Sequence, residues 1–515
     1  MSLDYPITGI DATFAAPTYS AEIVFAQGPS TAGAGTREVC FVMPMTSTGT
    51  WTAGTLYRVK NTGEAETGGG AGSPVHRGIR KFMSINKDAK VWALPVAETS
   101  GGSPAAATSV LTIANTATAT GTITVTVAGE ECSYSYLSGE TPTNIGDGIV
   151  ASINAKTWLP CTAANSSGTV TLTAKLKGTS QGTGSLGVIR TRVAISSGTT
   201  TTASFGGAFL GTGAAGAEGT TTEAANVTTA LAAIDAVRKY YIVTSSNTST
   251  SLALYKSHVT TKSEPRRGLR SVFIAAYTGA LAAGITLATG LNYERGQLVW
   301  QPNSEHDCAE LAATVAAIRQ KGEALDTAYN FNLTSLSAYI KQPYAVADWP
   351  DGDDVEDALL GGLTPIASND AGAYLVQSLT TKSKNAAGTV SDRRVARTHK
   401  VSVPDEYTDE LLNRFANNFG NKKFEDDERL ADGSINPNQR YKRNVVKPSM
   451  VEDVARKLLD DYADAGKLQL VENSKASLRF VKAGDAPSRC EGAIDLYVVD
   501  WLDQITTRVS EVSAG

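Results

Sequence analysis

The chain has 515 residues, of which 42% are hydrophobic, so it is long enough for several domains with real cores and is not a disordered chain. Only 19% of residues are charged and the net charge is -5, which excludes a general basic footprint for nucleic acid. The charge is uneven: Thr99–Thr222 carries 5 Lys/Arg and 5 Asp/Glu in 124 residues, whereas Val376–Gly515 carries 22 and 22 in 140.

The N-terminal residues Met1–Thr8 lack the charged and apolar regions of a signal peptide, and residues 1–25, broken by Pro6, Gly9 and Pro17, read as an extended arm ending in a strand at Ala21–Ala26. Glu38–Met43 and Lys90–Val96 are apolar strand candidates, and Gly63–Ser73 between them reads as a glycine-rich loop. A boundary falls at Ser100-Gly-Gly-Ser-Pro104. Ser109–Ile113, Gly121–Val127 and Thr169–Ala174 then alternate Thr or Ser with Val, Ile or Leu, the period of half-buried strands. Glu140–Ala155 places Ile145, Ile149 and Ile153 on one helical face, so residues 99–222 read as a β-rich inserted domain.

From Glu223 the pattern alternates. Helix is expected at Glu223–Lys239, Ser249–Ser263 and Gly279–Leu291, and strand at Tyr240–Thr244, Ser271–Tyr277 and Gln297–Gln301. Such alternation implies a mostly parallel sheet. Ser271–Tyr293 is uncharged and follows Arg266, Arg267 and Arg270, but its glycines favour a strand and a buried helix over a membrane span. Ser304 is expected to cap a helix that buries Cys308, Leu311, Ala312 and Val315, and Asp351 to cap another through Leu360. Ala373–Thr380 and Arg393–Val403 read as strands, with Pro404 opening a helix. Ser449 and Glu452 suggest a capping box, with Met450, Val454, Leu458 and Tyr462 as the buried stripe and Gly466 as the stop. Leu468–Val471, Leu478–Val481 and Ala493–Leu502 read as strands.

Few motifs suggest chemistry. Gly211–Gly216 fits G-x-G-x-x-G, but the helix starts several residues later, so it reads as linker. Gly178–Gly182 fits G-x-S-x-G without a following helix and reads as a loop. Asp351, Asp353, Asp354, Glu356 and Asp357 lack cation-loop spacing and read as a helix start. Cys40, Cys132, Cys161, Cys308 and Cys490 are scattered, as are the four histidines, so buried free thiols are expected and no metal or other cofactor. The basic residues Arg440, Lys442, Arg443 and Lys447 follow the acidic run Glu425, Asp426, Asp427 and Glu428. They form either a solvated surface or complementary contacts between copies of the chain. The lack of a catalytic constellation points to a structural or binding protein, with an adhesin or fibre carrying a β-rich binding domain as the alternative to an assembly subunit.

The segment Ala358-Leu-Leu-Gly-Gly-Leu-Thr-Pro-Ile366, followed by Ala373-Tyr-Leu-Val-Gln-Ser-Leu-Thr-Thr381, Lys423-Phe-Glu-Asp-Asp427 and Ala493-Ile-Asp-Leu-Tyr-Val-Val-Asp-Trp-Leu-Asp-Gln-Ile505, resembles the tail sheath proteins of contractile bacteriophages, the Mu-like subfamily above all. Gln377 and Leu379 stand where that family more often has Arg and Ile. In the insert, Ala119–Gly129, Glu140–Asn154, Cys161–Ala163 and Gly168–Ala174 are similar to the subfamily in order. The resemblance implies an α+β multidomain chain. Its parts would be an arm at 1–25, a mixed α/β core at 26–98 and 223–365, the β-rich outer insert at 99–222, an inner α+β sheath domain at 366–492, and a strand and arm at 493–515. It further implies a helical homopolymer around a tail tube protein, baseplate and tail terminator partners, and no direct nucleic acid or membrane insertion. The location implied is the virion, after assembly in the host cytoplasm. Ile494, Leu496, Val498 and Trp501 would lie on the strand of the C-terminal arm, and the charged residues at 425–428 and 440–447 would contact other copies or the tube.

Overall fold

The computed structural model describes residues 37–179, 189–196, 201–205, 214–385, 387–484 and 486–502. The fold is α+β, and the chain divides into a larger unit, residues 36–325 with 333–398, and a smaller one that includes residues 326–332 and 399–502. The expected strand at Ala21–Ala26 lies outside the described residues.

The larger unit starts with β1 (Val39–Pro44), β2 (Tyr57–Val59), α1 (Thr62–Gly69), α2 (Pro74–Ile85) and β3 (Val91–Val96). The insert supplies β4 (Ala106–Ala114), β5 (Gly121–Val127), β6 (Glu130–Tyr136), α3 (Pro142–Asn154), β7 (Cys161–Ser166), β8 (Thr169–Lys177), β9 (Thr191–Ile195) and β10 (Thr202–Phe205). The chain returns through α4 (Glu223–Ala232), β11 (Tyr241–Val243), α5 (Ser249–Ser263), β12 (Val272–Tyr277), α6 (Leu281–Leu291), β13 (Gly296–Trp300) and α7 (Cys308–Leu325). It ends in β14 (Thr334–Ser335), α8 (Gly352–Leu360), β15 (Thr364–Asn369) and β16 (Gly372–Leu375).

One sheet orders these as β14-β16-β15-β13-β12-β11-β1-β3-β2. The six central strands run parallel. Helices cover both faces, which is why β1 and β13 are apolar or buried at every position. On one face Cys40, Val42, Ile242, Phe273 and Trp300 pack with Leu231, Leu252 and Tyr255 from the helices. On the other, Phe41 meets Phe82 of α2 edge-on at 5.5 Å. The uncharged stretch after Arg270 is β12 and α6, as expected, and among the described residues no helix is long and apolar enough to cross a membrane.

Two small sheets, β10-β4-β8-β7 and β6-β5-β9, build the insert around Ile145, Ile149 and Ile153, all fully buried as their spacing predicts. The segments leading into and out of it pair with each other, Ser100 with Thr221 and Ala105 with Ala217. Ala214–Thr222, the described part around the glycine motif, therefore belongs to this paired stalk; Gly211–Gly213 and Ser180–Gly182 lie outside the described residues.

Two expectations fail here. Gly63–Ser73 is not a loop throughout: it holds all but the first residue of α1, and its last residue, Ser73, caps α2. Asn61 caps α1 by accepting from the Glu64 N–H at 2.9 Å, while the Glu64 carboxylate accepts from the Lys60 N–H at 2.8 Å. The glycines serve packing, since a Cβ on Gly68 would lie 2.0 Å from the Trp51 ring. Ser304 does not cap α7 either. Its hydroxyl bonds Gln301, and Asp307 accepts from the Glu310 N–H at 3.0 Å.

The smaller unit contains α9 (His399–Phe419), β17 (Lys423–Phe424), β18 (Val445–Val446), α10 (Pro448–Asp464), β19 (Leu468–Gln469), α11 (Val471–Ser477), β20 (Arg479–Lys482), β21 (Cys490–Ala493) and β22 (Tyr497–Val498). Its core joins Val403, Tyr407 and Leu411 to Leu458, Leu459, Tyr462, Leu478, Leu496 and Val498. The expected strand Arg393–Val403 is helical from His399, and Pro404 lies inside α9 rather than at its start. Val401 and Val403 are buried there, and tertiary burial outweighs both their strand preference and the helix hydrogen bond that Pro404 cannot donate. The capping box at Ser449 is absent: Pro448 opens α10, Glu452 pairs with Arg456 at 2.7 Å, and Ser449 bonds Asp427. The buried stripe is Val451, Ala455, Leu458, Leu459 and Tyr462, with Met450 and Val454 only half-buried. Gly466 ends the helix with φ +71°, a conformation that favours glycine. The expected strand Leu468–Val471 shortens to β19 before α11, and the run Ala493–Leu502 forms only β22.

Candidate functional site

The charged stretch of the smaller unit is held by a short parallel pair, β17 with β18, in which Lys423 faces Val445 and Phe424 faces Val446. Between these strands the acidic run and the basic residues come back together within one chain. Lys442 Nζ donates to Glu425 at 2.6 Å, and this contact holds the exposed Glu425 carboxyl below its ordinary range. Lys447, with 1% of its side chain exposed, donates to Gln439 at 2.9 Å and to Glu428 at 3.3 Å. Asp427 is buried: it accepts from the Ser449 hydroxyl at 2.6 Å, the Ser449 N–H at 2.9 Å and the Gln439 amide at 3.0 Å. Asp426 is exposed and accepts from the Asp427 N–H. Arg440 and Arg443 are exposed, and among the described residues neither has an ion-pair partner. Of the eight charges singled out in the sequence, five are thus tied to one another or to Gln439 and Ser449, and the two arginines project outward.

The apolar C-terminal run is docked in its own unit. β22 pairs antiparallel with β19, Leu468 opposite Val498. Leu496 and Val498 are buried in the core and Ile494 packs against it. The Val498 carbonyl accepts from Lys400 and Gln469, both at 3.1 Å. Trp501 donates to the Ala328 carbonyl at 2.9 Å, lies 4.2 Å from the His399 ring and meets Phe331 edge-on. Ala328, Phe331 and His399 were not singled out in the sequence. Nothing local marks them, because the pocket is assembled from segments about 70 to 170 residues apart.

In the larger unit, charge is buried in closed networks. Arg77 of α2 pairs with Asp307 and, at 3.2 Å, with Glu310, which also meets His306 at 2.6 Å. Burial would raise the Glu310 carboxyl, but Arg77 and His306 hold it below the ordinary range. Arg37 and Arg319 share Glu323 in the same way. The first network joins α2 to α7, and the second ties α7 to the segment that precedes β1. Cys40, Cys132, Cys161 and Cys308 are buried free thiols and Cys490 is half-buried. Among the described residues no group of three or more His, Cys, Asp or Glu could hold a metal ion. The acidic start of α8 is a helix cap, as expected: Asp351 accepts from the Asp354 N–H at 2.8 Å.

No protein-family model matches the chain. The chain is similar to tail sheath proteins. The Mu-like prophage FluMu tail sheath protein of Haemophilus influenzae is 30% identical over 151 residues, which are 29% of this chain and 30% of that protein. A sheath tail protein from Listeria innocua superposes with a TM-score of 0.47 and 13% identity, covering 92% of this chain and 94% of the other. The contracted helical sheath of the anti-feeding prophage gives 0.45 and 9%, covering 97% and 99%.

Proposed function

We propose that the chain is the subunit of a contractile tail sheath, polymerising helically around a tail tube and driving that tube through a host envelope when it contracts. The observation that carries this reading is the 30% identity with a Mu-like tail sheath protein, on a chain whose sheath-like segments occur in the family's order. Its partners would then be further copies of itself, the tube protein, the baseplate and the tail terminator, and its place the virion after cytoplasmic assembly. A mechanical role of this kind needs no cofactor or catalytic group: free energy stored in one packing of the polymer is released by passage to a better one.

The terminal segments supply the linkage between copies. Strand addition to a neighbour's sheet satisfies backbone groups along an edge and survives large movements of the subunits. The two-stranded pairs of the smaller unit, β19-β22 and β20-β21, offer such edges. Because Ile494, Leu496, Val498 and Trp501 are docked at home, the exchanged arm begins beyond Leu502, with residues 1–25 as its N-terminal counterpart.

Electron microscopy of the purified chain tests the reading. Tubes or stacked rings are expected. A monodisperse monomer at every concentration, with residues 99–222 binding glycans, would overturn it in favour of an adhesin.

A further inference from the structure

We propose that the outward arginines Arg440 and Arg443 of one copy dock on the acidic face of helix α8 of a second copy, an inference that rests on the polymer reading above. Two segments of opposite charge stand without ion-pair partners among the described residues of the chain. One is the loop carrying Arg440 and Arg443; the other is the first turns of α8, with Asp353, Glu356 and Asp357 exposed. Within the basic loop the two lysines are spent. Lys442 is bound to Glu425 and Lys447 to Glu428 and Gln439, so the loop is fixed from within while its two guanidinium groups remain available.

Both segments also expose apolar side chains among their charges. Tyr441 is 62% and Leu430 46% exposed on the basic loop, and Leu360 is 49% exposed at the end of α8. Apolar centres rimmed by charges of opposite sign are the composition of a specific contact rather than of a purely solvated surface. Arginine suits it, since its planar fork pairs with carboxylates in two parallel hydrogen bonds. The two faces belong to different parts of the chain, so the contact is heterologous and propagates from copy to copy into a ring or a helix.

Charge reversal tests this in the full chain. Arg440→Glu with Arg443→Glu, and separately Glu356→Arg with Asp357→Arg, should each raise the critical concentration for assembly by about tenfold or more at low salt. The chain carrying all four changes should return to within about threefold of the original. An equimolar mixture of the two reversed chains should assemble at a concentration at which neither does alone, because every junction then joins opposite charges; this arm also excludes misfolding as the cause. Reversals that leave the critical concentration unchanged, or a mixture no better than its components, overturn the proposal while the sheath reading stands. An unaltered chain that never polymerises removes the sheath reading and this contact together.

Discussion

Asp427 and Arg440 sit in the same charged stretch and have opposite roles. Asp427 receives three hydrogen bonds that tie the loop to the start of α10, whereas Arg440 is exposed and has no ion-pair partner among the described residues. A buried acceptor lost from such a site leaves its donors unsatisfied, at about 1–3 kcal/mol. Asp427→Ala should therefore destabilise the smaller unit by about 2–3 kcal/mol in urea unfolding followed by circular dichroism, while Arg440→Ala should stay within about 0.5 kcal/mol. A spacing argument cannot separate these two residues, because both are charged and close in sequence. His76 gives a second case. Burial pushes its imidazole down to about 4, and its Nδ1 accepts the Gly72 N–H at 3.0 Å, which needs the neutral ring. The folded value lies below the unfolded one, so this contribution is complete above about pH 6.5 and is lost as the pH falls towards 4. Between pH 7 and pH 5 it amounts to about 2 kcal/mol, and His76→Gln should flatten the pH dependence of thermal unfolding by that amount. A histidine that stays protonated in the folded chain at pH 5.5 by NMR titration would contradict this.

At the scale of elements, α1 and α7 show where pattern and packing part. α1 has glycines at its end, and in sequence they read as a loop. In the fold they let the helix lie against Trp51, whose ring stacks on Tyr57 at 5.2 Å. Gly68→Ala should displace the Trp51 ring, change its near-ultraviolet signal and cost about 1–3 kcal/mol, since overpacking a tight contact strains its neighbours. α7 shows the converse. The apolar face through Cys308, Leu311, Ala312 and Val315 is legible and buried. Glu310, Arg319 and Glu323 on the same helix are buried as well. The partners of the two glutamates, Arg77 and Arg37, lie more than 200 residues away, and only the fold brings them to pairing distance. The long parallel strands β1, β3, β12 and β13 were readable for a simple reason. A strand covered on both faces must be apolar throughout, and that pattern needs no partner to be recognised.

At the scale of the whole molecule, the docked C-terminal run gives the proposed arm a limit that truncation tests. Ending the chain after Leu502 should leave the circular dichroism and melting of the subunit unchanged and stop its polymerisation. Ending it after Ile494 removes Leu496, Val498 and Trp501 from the core and should also unfold the smaller unit, seen as lost helical signal and rapid proteolysis. A chain ending at Leu502 that still forms normal tubes would sink the arm assignment. Sequence alone determined the alternation of strand and helix in the larger unit, the β-rich insert and its isoleucine stripe, and the ordered segments similar to tail sheath proteins. These are local or periodic features, encoded by spacing along the chain. Tertiary structure decided which charges face outward, that Arg393–Val403 leads into a helix rather than forming a strand, and that Trp501 is an anchor. Each of those depends on partners distant in sequence, and burial energy between them outweighs the local preferences from which a sequence is read.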